Sequence, residues 1–317
     1  MAHAVETMFY TGQIPCWHGQ GTSVADAPNS AEALRLAGLD WEVEGRKLYL
    51  ENGDSVKGFV ANVRSTDNSV LGVVSEVYKV VQNVEAFAFT DALIGNGDIE
   101  VRYETAGSLA NGKRTWMLAR MPEEEILGDK FDNFLVFSNS FDGTGAIRVA
   151  VTPVRVVCQN TLNLALGSAK RQWAVKHMGD VQGKIHEAQM TLGLYKKYIE
   201  NIKGEAEILV QKAVSYNLFK EFVEEMFPLL DEKDASPRQV RNALELRENF
   251  IAFRRVPYDL RRVDGTAWGL LNMVSDFVTH TKPQRQSKNY QENNFMKVID
   301  GHPIFDQAYA WVQNHVA

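Results

Sequence analysis

Between Phe134 and Leu166 the chain reads FLVFSNSFDGTGAIRVAVTPVRVVCQNTLNLAL, and no other stretch restricts the fold so tightly. Apolar runs at 134–137 and 146–151 flank Asp142-Gly143-Thr144-Gly145. Asp-Gly between two β-prone segments is a strong hairpin signal, because the tight turn needs residues that tolerate positive φ. Thr152-Pro153 is expected to close the second strand, since proline cannot donate to a central ladder. Val154 to Cys158 begins a further apolar run, and Asn160 or Thr161 is placed to cap a short helix after it.

The chain before this hairpin predicts more antiparallel pairing. The first forty residues read as irregular, with Gly12, Pro15, Gly19, Gly21 and Pro28 separating short apolar pieces, until Asn29 or Ser30 caps a helix that Gly38 ends. Trp41–Leu50 and Val56–Arg64 alternate across an Asn52-Gly53 turn, with a third strand at Val70–Val74. The period changes to helical over Tyr78–Ile94, where Gly95-Asn96-Gly97 stops it. Ile99–Ala106 and Thr115–Arg120 then pair across Asn111-Gly112.

Beyond Leu166 strand signals largely vanish. Helices are expected at Val181–Ile202, Glu205–Met226, Ser236–Arg254, Gly265–Thr279 and about Ile304–Val316, with Pro237 at a first helical position. The fold class that follows is α+β: an antiparallel β-sheet with packed helices in residues 1–168, and a mainly helical region, 169–317, packed on the first.

Composition excludes several classes. A 317-residue chain with 45% hydrophobic residues can bury a large core. No apolar run is long enough to span a bilayer and no signal-peptide pattern opens the chain, so a cytoplasmic protein is expected, with no membrane partner. Two cysteines, Cys16 and Cys158, fit a reducing compartment. The net charge of −6 is unevenly spread: Gly145–Tyr290 holds 22 Lys+Arg against 16 Asp+Glu, and the flanks hold 12 against 24. That segregation points to an anionic partner for the middle and C-terminal part.

Catalytic readings are thin. His18 beside Cys16 lacks the further ligands a zinc site needs, so no metal and no cofactor is expected. Cys158 in Val-Val-Cys reads as a buried, inert thiol, and Asp142 is explained by turn geometry. No phosphate-cradling or dinucleotide glycine motif is present. What remains is basic and aromatic: Arg148 and Arg155; Lys170, Arg171, Trp173, Lys176 and His177; Arg254, Arg255, Arg261 and Arg262 around Pro257-Tyr258; and Lys282 with Arg285 after His280. Cations that track phosphates beside aromatic faces that stack bases are what a single-stranded nucleic-acid groove uses.

Six segments carry a family resemblance: MFYTGQIPCWHGQG, AGLDWEV, VLGVVSEVYKVVQNVEAF, YETAGSL, RVVCQNTLNLAL and DGTAWGLLNMVSDFVTH. Through them the chain resembles, nearly end to end, the phage/plasmid-like family of unknown function of bacterial mobile elements, the domain-of-unknown-function family numbered 932. The resemblance implies a setting and no mechanism. At fold level a hairpin-rich sheet backed by a helix is similar to Rad52-type annealing proteins, an analogy that implies a homo-oligomer, in the form of a ring. The reading that follows is a non-enzymatic single-stranded DNA-binding protein, in the role of a single-strand annealing recombination mediator. The alternative is a protein-binding accessory factor that antagonises host defence or joins replication machinery; a hydrolase using Cys158 or His177 ranks third.

Overall fold

The computed structural model describes residues 5–11, 22–24, 29–95, 102–155, 172–180, 183, 195–231, 233–253, 262–281, 290, 293, 297 and 301–316. The strands are β1 (Val5–Thr11), β2 (Thr22–Val24), β3 (Val43–Tyr49), β4 (Ser55–Arg64), β5 (Val70–Ser75), β6 (Arg102–Leu109), β7 (Arg114–Ile126), β8 (Asp129–Ser140), β9 (Ile147–Arg155) and β10 (Gln172–Val175). The helices are α1 (Ser30–Ala37), α2 (Asn83–Gly95), α3 (Tyr195–Val210), α4 (Tyr216–Met226), α5 (Pro237–Phe253), α6 (Ala267–His280) and α7 (Pro303–His315). The class is α+β.

The expected hairpin is the β8–β9 pair, with Phe134 opposite Thr152 and Ser138 opposite Arg148. Asp142 builds its turn by accepting from the Thr144 backbone N–H at 2.9 Å and from the Ser140 hydroxyl at 2.8 Å. Contrary to expectation, β9 runs through Pro153, which pairs with Asn133. Among the described residues β10 flanks β9 from Ile147 to Ala150, and Pro153 has a described strand partner on the β8 side alone.

Seven strands form one sheet in the order β10-β9-β8-β7-β6-β1-β2, antiparallel except for β1 with β2. The Asn111-Gly112 turn links β6 to β7 with Ala110, Asn111 and Gly112 all at positive φ. Two expectations are corrected here. The N-terminal forty residues contain β1 and β2, because Met8 and Phe9 bury opposite faces of β1 against the edge of β6. The basic tract after residue 169 contains β10, which extends the sheet beside β9.

A second sheet, β3-β4-β5, matches the three strands read from sequence. It packs on the tip of the β8–β9 hairpin. Asn62 donates from Nδ2 to the Phe141 carbonyl at 2.7 Å, and Trp41 meets Phe141 edge-on at 5.5 Å. Gly72 lies against the Asp142 backbone so closely that an added Cβ would fall on its Cα and 2.9 Å from its Cβ. Helix α1 has both expected caps: Asn29 accepts from Glu32 N, and Gly38 adopts φ 64.

One apolar cluster runs from Phe9 to Val316. It joins one face of the large sheet (Met117, Leu135, Phe137, Val149) to α1, α2 and the C-terminal helices through Ile199, Phe222, Trp268 and Trp311. Two helix boundaries differ from expectation. Helix α2 begins at Asn83, five residues late, because 78–82 is held extended: the Gln82 amide pairs with both Val43 backbone groups, and the Tyr78 hydroxyl donates to the Ser140 carbonyl. The helix expected over Glu205–Met226 is broken between α3 and α4, where Ala213 bridges Thr266 and Val214 N donates to Gly265 O. Ser215 then caps α4.

The two glycines Gly72 and Gly204 give opposite expectations. Gly72→Ala forces backbone apart at the sheet-to-hairpin contact and is expected to cost about 1–3 kcal/mol by chemical denaturation. Gly204, inside α3 with open space around its Cα, should gain about 0.5–1 kcal/mol as alanine. A neutral Gly72→Ala would show that the two sheets do not depend on that contact.

Candidate nucleic-acid interface

Residues two apart on a strand share a face, so β7 presents Arg114, Trp116, Leu118 and Arg120 together on the side away from the main core. Register carries that face across the sheet. Trp116 lies opposite Ser138, which lies opposite Arg148, while Arg120 lies opposite both Arg102 and Phe134. Four arginines, 102 on β6, 114 and 120 on β7 and 148 on β9, therefore share one face of the sheet. Met8, Leu109, Trp116, Leu118, Phe134, Val136 and Ala150 fill the space between them as a second, separate apolar cluster.

The four differ in electrostatic state. Arg120 bonds Glu104 at 3.1 Å and Asp132 at 2.6 Å, and its guanidinium stands 5.1 Å from the Phe134 ring centroid, so its charge is balanced and its position fixed. Burial, and then the neighbouring Arg114, push Arg148 below the usual guanidinium range; two like charges are held together beside the hairpin turn. Burial raises the Asp142 carboxyl, but hydrogen bonds from Thr144 and Ser140, with the charge of Arg114, outweigh it and leave the group below its ordinary value. Between Trp116 and Arg148 the buried Ser138 hydroxyl has no hydrogen-bond partner among the described residues.

Of the residues read from sequence, Arg148 belongs to this face. Lys176 is exposed two positions past Ala174, the register partner of Arg148, and so continues the same row. Arg155 closes β9 opposite Phe131. Trp173 lies opposite Val149 and packs, half-buried, on the main core, so it is no open stacking platform. His177 is buried: its Nδ1–H donates to the Lys79 carbonyl at 2.9 Å, its ring stacks on Tyr78 at 4.5 Å, and burial lowers its pKa. A neutral, enclosed ring supplies no phosphate contact; His177 ties β10 to the segment before α2.

Arg262 also has a structural task. It bonds the nearly buried Asp129 at 2.6 Å and lies over Gly128 in the β7–β8 turn. That turn is nine residues along β8 from Ser138, roughly 30 Å at a strand's rise, so Arg262 and Arg148 do not form one site. Lys170, Arg171, Arg254, Arg255, Arg261, Lys282 and Arg285, with Cys16, His18 and Cys158, lie outside the described residues. Among the described residues no group of three His, Cys, Asp or Glu is placed to hold a metal ion, and no helix is long and apolar enough to cross a membrane. Sequence reading missed Arg102, Arg114 and Arg120. Their signal was present in the alternation Arg114-x-Trp116-x-Leu118-x-Arg120, which marks a strand face with a cation at each end.

These features define an α+β protein whose large antiparallel sheet carries an arginine-bearing face. The profile of the family described as domain of unknown function DUF932 matches residues 70–298, and the chain belongs to that family. No curated protein and no solved structure matches it.

The buried His177 and the half-buried His302 make stability sensitive to acid. His302 caps α7 by accepting from Ile304 N, and burial, with Lys297 nearby, pushes it down to about 4 from 6.5; His177 is lowered in the same direction. The unfolded chain therefore takes up protons that the folded chain refuses. Stability present above pH 6.5 is lost as pH falls through the window toward about 4. His302→Asn keeps a capping acceptor without the titration, so its melting temperature should fall less than wild type on acidification. Equal falls would remove His302 as a source.

Proposed function

We propose that the protein is a non-enzymatic single-stranded DNA-binding protein that contacts phosphates from the arginine-bearing sheet face. The observation that carries this reading is the sharing of one face by Arg102, Arg114, Arg120 and Arg148. The exposed cations stand at the two ends of that face, Lys176 beside the half-buried Arg148 at one and Arg102 at the other, six residues of β7 or about 20 Å apart, while Arg114 and the apolar side chains between them are buried. Trp116 and Phe134 are buried, so they shape the face and do not stack bases. Contact then falls to phosphates, and binding is nearly indifferent to base sequence.

The exposed Arg102 and Lys176, with Arg148, are the cations that release counterions. In a fluorescence-anisotropy titration of a labelled oligothymidine, log affinity should fall with log salt at about −0.7 per phosphate neutralised, or about −2 for the three. Replacing all three by alanine should remove most of that slope and leave the melting temperature within a few degrees. Absence of binding at low ionic strength would contradict the proposal. Annealing of complementary strands in a phage or plasmid setting is the role such binding would serve, and it is read directly as faster duplex formation from two labelled strands.

A protein-binding accessory role is favoured by a different observation. The outer face of the β3-β4-β5 sheet leaves Phe59, Val70 and Val73 about half exposed. Apolar side chains grouped on one sheet face can form a contiguous exposed patch, the feature that marks an interaction surface. Phe59→Asp separates the two readings, since it leaves the oligothymidine titration unchanged.

A further inference from the structure

Helix α5 is an unusual element of the C-terminal half. Its 17 residues make a rod about 25 Å long, yet of its described side chains only Phe250 is buried. Phe250 inserts among Phe219, Phe222, Phe227 and Phe277, with ring centroids 4.5–6.3 Å away, and this anchors the C-terminal end. At the other end the helix caps itself. Ser236 N–H donates to Gln239 Oε1 at 3.0 Å, and Gln239 N–H returns to Ser236 Oγ at 3.4 Å, a reciprocal box that needs no neighbour.

Along the rod, Val240, Leu244, Arg247 and Ile251 recur at spacings of four, three and four, the period of a helix–helix seam. Leu244 and Ile251 remain 41% and 43% exposed. Arg247 is mostly covered and reaches Glu224 of α4 at 3.9 Å, so its charged end is turned toward the body of its own chain, at the edge of the stripe. The flanking charges are ordered: exposed Arg238 and Arg241 in the first half, exposed Glu248 in the second.

We propose that α5 is a dimerisation helix that pairs antiparallel with α5 of a second copy of this chain. Charge order selects both the occupant and the direction. A two-fold axis near Leu244 and Glu245 brings Val240 of one copy toward Ile251 of the other, and Arg241 toward Glu248 of the other, twice. A parallel pair would set Arg241 against Arg241 and Glu248 against Glu248. An unrelated partner has no need of a stripe that complements its own reversal, whereas an isologous contact requires it. The pairing closes at two copies, unlike a head-to-tail ring, and it is independent of the nucleic-acid reading.

The test is the mass of the full chain by light scattering and sedimentation equilibrium across a concentration series. Wild type should approach twice 35.6 kDa. Leu244→Lys should be monomeric. Arg241→Glu should raise the dimer dissociation constant roughly tenfold, because the exposed pair occurs twice and reversal replaces attraction with repulsion. The double variant Arg241→Glu/Glu248→Arg should restore it. All three positions are exposed, so thermal melts should match wild type and report that folding is intact. A monomer at every concentration, an assembly larger than two, a dimer that Leu244→Lys leaves whole, or a double variant as weak as the single one would overturn the proposal.

Discussion

The β7-β8-β9 ladder is buried on both faces, and the rest of the molecule is fitted around that condition. Leu135 and Phe137 of β8 enter the main core, while Phe134 and Val136 enter the second cluster. A strand apolar on both sides loses the usual penalty against slipping by one residue, because either face would accept it. Register must be fixed another way, and the buried polar groups provide it. Asn139 donates to the Val81 carbonyl at 2.8 Å, Asn133 donates to Pro122 at 3.0 Å, and the Asp142 turn holds its own end. A slipped strand would leave these groups buried without partners, at about 1–3 kcal/mol each.

The hairpin end at 140–145 joins the remaining parts. Tyr78 reaches Ser140 O, Asn62 reaches Phe141 O, and Gly72 abuts Asp142, so the segment before α2, the small sheet and the large sheet meet at six residues. The same end sets Arg114 and Arg148 side by side, with Gly145 leaving room where a Cβ would stand 2.9 Å from Arg114 Nη1. Fold and arginine face are thus products of one turn. The C-terminal helices join the opposite face, with Lys203 of α3 bonded to Glu124 of β7 and Arg262 to Asp129.

Local signals made much of this legible. Helix α1 has its caps at Asn29 and Gly38, and the Asn52-Gly53, Asn111-Gly112 and Asp142-Gly143 turns each join the strands they imply, because turn chemistry is decided within a few residues. The errors are tertiary. β1 and β10 are strands completed by pairing with β6 and β9, and the α3–α4 break exists because Ala213 and Val214 pair with residues near 265. The site was only partly visible for the same reason. Charge clusters such as Lys170-Arg171 are contiguous in sequence, but a sheet face is assembled from alternate residues on different strands. Reading runs of charge found Arg148 and passed over Arg102, Arg114 and Arg120.

The central claim is that this sheet face meets phosphates. Amide hydrogen–deuterium exchange of the full chain, with and without saturating oligothymidine at low salt, tests it directly. The account predicts added protection at 102–104, 147–150 and 174–176, at the ends of strands that carry the exposed cations, with α4 to α7 unchanged. Protection confined to the C-terminal helices, or none in those strands while the oligonucleotide is bound, would contradict it.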